Sequence, residues 1–279
     1  MIYLAHVDPT RKDMMKQSEF LVRSHKEVGI NDQLIILKTD ERKKFKQYGL
    51  NDKYALYNRY IAVMEYITRH NAENEIICVL DCDMFFQKKY TPLPISKSEM
   101  VSQMWVGGEE WKQYWNYVKD PEFDKFQERT KVDIDNPIKV VVPYYLHGTN
   151  CLALYKMALE VEKLIRQKTQ WWMTEMVAVS FTSNCLNLKV RYDNIGCVSW
   201  FVDNPKNNPN GISIDDYPMI HYGIPVRGKK GTKIIKYKMH DEKFMLNEIN
   251  NFLKKDEPKE EIDRRVLDFY IRMYGYKAT

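Results

Sequence analysis

No run of eighteen apolar residues occurs in the 279-residue chain, so no transmembrane helix is expected. The N-terminus also lacks the basic start and apolar core of a secretory signal, and opens directly on Ile2-Tyr3-Leu4-Ala5-His6-Val7. A cytoplasmic protein without membrane insertion is the expectation. The five cysteines, Cys78, Cys82, Cys151, Cys185 and Cys197, include no C-x-x-C pair. That spacing argues against a structural zinc site or a disulfide framework, and leaves buried thiols in a reducing compartment. There is no acidic excess: the net charge is +5, which favours an anionic ligand without identifying one. Internal repeats, low-complexity tracts and a convincing domain linker are missing as well.

What is present is a βαβαβ pattern. Ile2–Val7, Leu34–Leu37 and Ile76–Leu80 read as strands, and Met14–Val28 and Asp52–His70 read as helices. This order predicts an α/β fold with a mostly parallel, Rossmann-like sheet flanked by helices. Such sheets bind ligands beyond the C-terminal ends of their strands. Further on, Ile138–Val142 reads as a strand, Leu152–Ile165 and Trp171–Phe181 as helices, Val190–Val202 as extended, and Asn204–Gly211 as a surface loop. Trp111–Thr130 reads as helical in part. Two charged helices close the chain, with Phe244, Ile249 and Leu253, then Ile262, Val266 and Phe269, as their apolar faces. The organisation expected is one domain over 1–240 with a helical extension, 241–279, packed on it.

The apolar strand Ile76–Leu80 runs straight into Asp81-Cys82-Asp83. On an extended chain two carboxylates one residue apart point the same way. At a strand's C-terminal end they make a hard-oxygen site for Mg²⁺ or Mn²⁺. A metal there could bridge a nucleotide's diphosphate and neutralise it as a leaving group. The same tripeptide also occurs at turns where Asp caps backbone amides. Haloacid-dehalogenase phosphatases share it too, but theirs lies near the N-terminus with Thr or Val where Phe85 stands here. The Asn variants of both aspartates are expected to keep the fold intact, as exposed strand-end carboxylates do.

His221 is the candidate third ligand. After it come Arg227, Lys229, Lys230 and Lys233, spaced by Gly228 and Gly231, which could fold over a diphosphate. A buried structural histidine and a solvated basic loop are the plain alternatives. Glu175, on a helix beside Trp171 and Trp172, could orient an acceptor hydroxyl or stabilise an oxocarbenium-like sugar. A surface glutamate beside a tryptophan core would look the same.

Laid out in order, these residues resemble the hydroxyproline O-arabinosyltransferase and peptidyl-serine α-galactosyltransferase group. Gln17-Ser18, Leu21 and Ser24-His25 look like that group's first helix. Asn58-Arg59 with Ile61-Ala62-Val63 looks like its N-R-P-W-A segment, with Tyr60 in place of the proline. Asp81-Cys82-Asp83-Met84 looks like its metal motif, and His147-Gly148-Thr149-Asn150 matches the position of its V-G turn. Trp172 with Glu175-Met176 is similar to its W-x-x-E-M helix, and His221-Tyr222-Gly223 to its late H-Y-G.

The resemblance implies a GT-A fold and a metal-dependent glycosyltransferase using a UDP-sugar, with retention of configuration and a pentose or hexose such as arabinose or galactose. It implies Asp81, Asp83 and His221 as ligands of Mn²⁺ or Mg²⁺, and Glu175 as the catalytic residue. His6, Asp8, Asn58, Arg59, Cys82, Gly223, Lys229 and Lys230 are assigned to the donor, and His147, Gly148, Trp171 and Trp172 to the acceptor. Unlike the plant enzymes, this chain shows no anchor and is short and lysine-rich. That departure points to a viral or bacterial member, with hydroxymethylated bases of phage DNA as a candidate acceptor and a glycan or peptide hydroxyl as the alternative. Two other classes compete. A nucleotidyltransferase would carry a glycine-rich loop after the first strand, where this chain has Asp8-Pro9-Thr10-Arg11-Lys12. A non-catalytic nucleic-acid-binding protein would rest on the basic stretch alone.

Overall fold

The structure, a computed structural model, describes residues 1–50, 54, 56–103, 115–127, 131–133, 138–171, 173–198, 213–223 and 225–277. The chain packs into two compact units. One comprises 1–8, 32–80 and 91–195; the other comprises 9–31, 81–90 and 196–279.

The first unit is built on a six-stranded sheet. With strands numbered in chain order over both units, it contains β1 (Ile2–Val7), β2 (Gln33–Lys38), β3 (Ile76–Leu80), β5 (Glu99–Gln103), β6 (Tyr144–His147) and β7 (Lys189–Asp193), in the order β2-β1-β3-β6-β5-β7. β1 runs parallel to β2 and β3, and β5 parallel to β7; only β6 is antiparallel to its neighbours. The fold is therefore α/β with a mostly parallel central sheet. Tyr3, Leu4, Ala5, Ile77, Cys78, Val79 and Leu80 are all fully buried, which is why β1 and β3 read as unbroken apolar runs rather than alternating ones. Helices α2 (Tyr57–Arg69), α3 (Gly148–Lys168) and α4 (Thr174–Cys185) share one apolar core with this sheet through Tyr60, Ile61, Val63, Ile67, Leu154, Val161 and Val177.

Two departures from the expected pattern have local causes. Ile138–Val142 is not a strand. The Val140 and Val141 amides donate to side chains, Ser180 Oγ at 2.8 Å and Ser102 Oγ at 3.1 Å. Pro143 then has no amide to offer, and the ladder begins at Tyr144. β5 was hidden because Glu99, Ser102 and Gln103 break its apolar pattern; Ser102 and Gln103 are nonetheless buried.

Gly148 opens α3 against the turn at Ala72–Asn74. A Cβ there would lie 2.1 Å from the Ala72 carbonyl oxygen. Gly148→Ala is therefore expected to cost about 3 kcal/mol through forced overpacking. Urea unfolding measures this, and an unchanged midpoint would mean the helix start can shift to admit a methyl group.

The second unit holds α1 (Lys12–Val28), a three-stranded sheet β4-β9-β8 made of Met84–Phe86, Met219–His221 and Gly196–Val198, the hairpin β10 (Val226–Arg227) and β11 (Lys233–Ile234), and helices α5 (Glu242–Lys255) and α6 (Glu261–Tyr274). Its core joins Phe20, Phe85, Ile220, Tyr222, Ile249, Phe252, Ile262, Val266, Phe269 and Tyr270. The buried face of α5 is Met245, Ile249 and Phe252, whereas Leu253 is 42% exposed, so the apolar stripe is rotated from the one expected. Of Trp111–Thr130, the described part forms short 3₁₀ turns over Asn116–Lys119 and Pro121–Phe126. The expected loop Asn204–Gly211 and the end of the extended stretch, 199–202, lie outside the described residues. No helix among the described residues is long and apolar enough to cross a membrane. Cys78, Cys82, Cys151 and Cys185 are buried and in no disulfide.

Candidate metal centre

Chain geometry brings the Asp81–Asp83 segment and His221 together within the second unit. The chain leaves β3 at Leu80, turns at Cys82 and Asp83, and enters β4. β4 pairs antiparallel with β9, so that Met84 faces His221. The Tyr222 amide donates to the Asp83 carbonyl at 3.0 Å, which carries the pairing to the aspartate itself. The carboxylates converge through this turn, not through the alternation of an extended strand.

One ligand atom from each of Asp81, Asp83 and His221 lies within 4.8 Å of the others. His221 Nε2 is 3.0 Å from Asp83 Oδ1 and 3.6 Å from Asp81 Oδ2. Two carboxylates and an imidazole nitrogen form a donor set suited to Mn²⁺ or Mg²⁺. These residues therefore fit a divalent cation.

A fourth residue completes the cluster. The Lys236 ammonium, 13% exposed, pairs with Asp83 Oδ2. Burial opposes the charge on Asp83, but the neighbouring His221 and Lys236 charges outweigh it and hold the carboxyl well below the usual range. The pKa of His221 is raised: burial works against its charged form, and Asp83 and Asp81 more than compensate. Lys236 is raised in the same way by Asp83. Sequence reading missed Lys236, although it lies in the basic stretch already singled out. The available signal was its place after the short strand Lys233–Ile234, which turns the chain back.

The other basic residues of that stretch are placed differently. Arg227 makes a double contact with Asp263, at 2.9 and 3.2 Å. Asp256 accepts the Lys230 and Thr232 amides at 2.9 and 3.1 Å, so the loop through Gly228 and Gly231 is pinned to the segment after α5. Lys229 and Lys230 are exposed, and Lys229 pairs with Glu257 at 3.0 Å. Gly223 follows β9, and Cys82 donates to Gln17 Oε1 at 3.4 Å.

The remaining candidate residues belong to the first unit. His6 and Asp8 lie at the C-terminal end of β1. His6 Nε2 donates to the Thr39 carbonyl at 3.0 Å, and burial lowers its pKa to about 4, which keeps the ring neutral. Asp8 lies 3.4 Å from Arg42. Asn58 accepts the Glu41 amide at 3.0 Å. Arg59 donates to Glu175 Oε1 at 2.7 Å in a pair that is about nine-tenths buried on both sides. His147 pairs with Ile76, at the opposite end of β3 from Leu80. Four residues of strand, about 13 Å, separate the two ends. The structure thus does not bring His147 and Gly148 to the sheet edge that holds His6 and Asp8. Trp171 is half-buried against the first unit's core, and Trp172 lies outside the described residues.

Glu162, unremarked in the sequence, is fully buried beside this group and accepts from Thr174 Oγ1 at 2.7 Å. Burial, aided by the Glu175 charge, raises its pKa to about 8 from the usual 4.5. With the folded value above the unfolded one, its contribution to stability is complete below pH 4.5 and is lost as pH rises through 8. The expected result is that Glu162→Gln flattens the decline in thermal midpoint between pH 6 and 9, a window worth a few kcal/mol in the parent protein. Parallel declines in both proteins would show Glu162 to be ionised throughout.

The sequence matches no family model and no curated protein. Solved structures do match. The galactosyltransferase LgtC, in complex with donor and acceptor sugar analogs, superposes with a TM-score of 0.51 at 12% identity over 95% of this chain and 99% of its own. An active-site mutant of LgtC gives 0.51 at 13% identity over the same shares. A glycosyltransferase involved in glycosylation of the PBCV-1 major capsid gives 0.49 at 10% identity, over 86% of this chain and 97% of its own. With its mostly parallel sheet and flanking helices, the chain has the GT-A fold of glycosyltransferases.

Proposed function

We propose that this protein is a metal-dependent glycosyltransferase that moves a sugar from a UDP-sugar to a hydroxyl acceptor. The observation that carries this reading is the convergence of Asp81, Asp83 and His221 immediately after the third strand of a GT-A sheet. These three residues would hold the cation. When bound, it supplies Lewis-acid stabilisation of the negative charge on the departing diphosphate. His6, Asp8 and Asn58 gather where β1 and β2 end, the edge at which open α/β sheets take their ligands. Glu175, held by Arg59, is assigned to the reacting sugar. Transfer of arabinose or galactose with retention follows from the family resemblance, and LgtC is itself named a galactosyltransferase.

The basic segment supports a nucleic-acid-binding module poorly. Arg227, Lys229 and Lys236 are each paired with an acid of the same chain, which reduces the charge left for a phosphate backbone. DNA is retained only as a candidate acceptor. UDP release from a panel of UDP-sugars tests the reading, with Mn²⁺ or EDTA, and with hydroxymethylated DNA, glycans or peptides added. Mn²⁺-dependent release from one sugar supports it, and the acceptor that accelerates release is identified in the same assay. Absence of release from every nucleotide sugar, or release indifferent to EDTA, overturns it.

A further inference from the structure

Both oxygens of Asp83 are already engaged by nitrogen. Oδ1 faces His221 Nε2 at 3.0 Å, and Oδ2 pairs with the Lys236 ammonium. Lys236 sits on a short 3₁₀ turn, Lys236–Lys238, at the end of the basic hairpin, and its side chain is 13% exposed. A charge so enclosed is screened weakly by solvent and salt. A metal-binding His221 is neutral, and the two carboxylates and the ammonium then sum to one negative charge. Adding a free divalent cation would make the cluster positive and set two cations against one carboxylate. A cation carrying a nucleoside diphosphate brings a net negative charge instead, and the conflict with Lys236 disappears.

We propose that Lys236 is the resident counter-ion of this centre, that it competes with a free divalent cation for Asp83, and that the site therefore takes the cation together with a diphosphate in preference to the cation alone. The inference rests on the metal-dependent reading above. It makes Lys236 a coupling residue: metal and nucleotide strengthen each other's binding by the same factor, as linkage requires.

The test is a Mn²⁺ titration read from the paramagnetic resonance signal of free Mn²⁺, without nucleotide and with saturating UDP. The wild-type protein is expected to bind Mn²⁺ weakly alone and more tightly with UDP. Lys236→Met should bind Mn²⁺ alone about tenfold more tightly, with a correspondingly smaller gain from UDP. Lys236→Arg, which keeps the charge, should behave as wild type. If the Met variant fails to fold, Lys236→Gln removes the charge while keeping a hydrogen-bond donor near Asp83. Mn²⁺ binding that neither neutral variant tightens overturns this inference and leaves the metal reading standing. Absence of Mn²⁺ binding in wild type, with and without UDP, overturns both.

Discussion

Asp83→Asn should lower UDP-sugar turnover by on the order of 10³-fold, the scale expected when charge stabilisation at a leaving group is removed. The substitution takes one of two carboxylates from the donor set and leaves His221 and Lys236 facing a neutral amide. It should also cost stability. The sequence expectation of an intact fold assumed an exposed carboxylate at a strand end, but Asp83 is only 15% exposed and joins two other charged groups. Removing one member of such a cluster costs about 3 kcal/mol. Turnover must therefore be compared at a temperature well below both thermal midpoints. Asp81→Asn is the cleaner partner experiment, since Asp81 lies farther from His221, at 3.6 Å against 3.0 Å for Asp83. Full turnover in both Asn variants would remove the centre from the reaction.

The second large effect is expected at Arg59. Arg59→Met removes the guanidinium that meets Glu175 at 2.7 Å in a nearly dry setting, and should cost about 3–5 kcal/mol. Glu162 makes the loss worse, because a second acidic side chain sits close enough to feel the Glu175 charge. Combining Arg59→Met with Glu175→Gln should recover much of the stability, with a coupling energy that a double-mutant cycle reports. Turnover should stay low in the double variant if Glu175 acts on the sugar. Recovery of both stability and turnover would reduce the pair to a structural tie between α2 and α4.

Much of this was legible in the chain because local signals and tertiary outcome agree. β1 and β3 are buried on both faces, so their apolar runs are unbroken; α2 presents Tyr60, Val63 and Ile67 at helical spacing to the core. Asp81, Asp83 and His221 were legible as chemistry, since few residue sets suit a hard cation so well. Their meeting was not legible, because it depends on the β4–β9 pairing of two three-residue strands too short to leave a periodic trace. Lys236 was hidden for another reason. Six basic residues lie between Val226 and Met239, and composition does not say which one turns inward. Gly148 resembled a turn motif, yet the Ala72 carbonyl gives it a packing reason that only the folded chain reveals.

Phe85, two residues past Asp83, stacks on Phe269 of α6 with ring centres 4.0 Å apart and planes 9° from parallel. Its neighbour across the ladder, Ile220, precedes His221 and shares the same apolar cluster. The two segments that carry the ligands are thus aligned by a hydrocarbon seam, far softer than the bonds it aligns. Substitutions along α6 that trim this seam should appear in cation affinity before they appear in global stability. A natural variant at Phe269 would be read from its position as a packing change and from its phenotype as a lesion of catalysis.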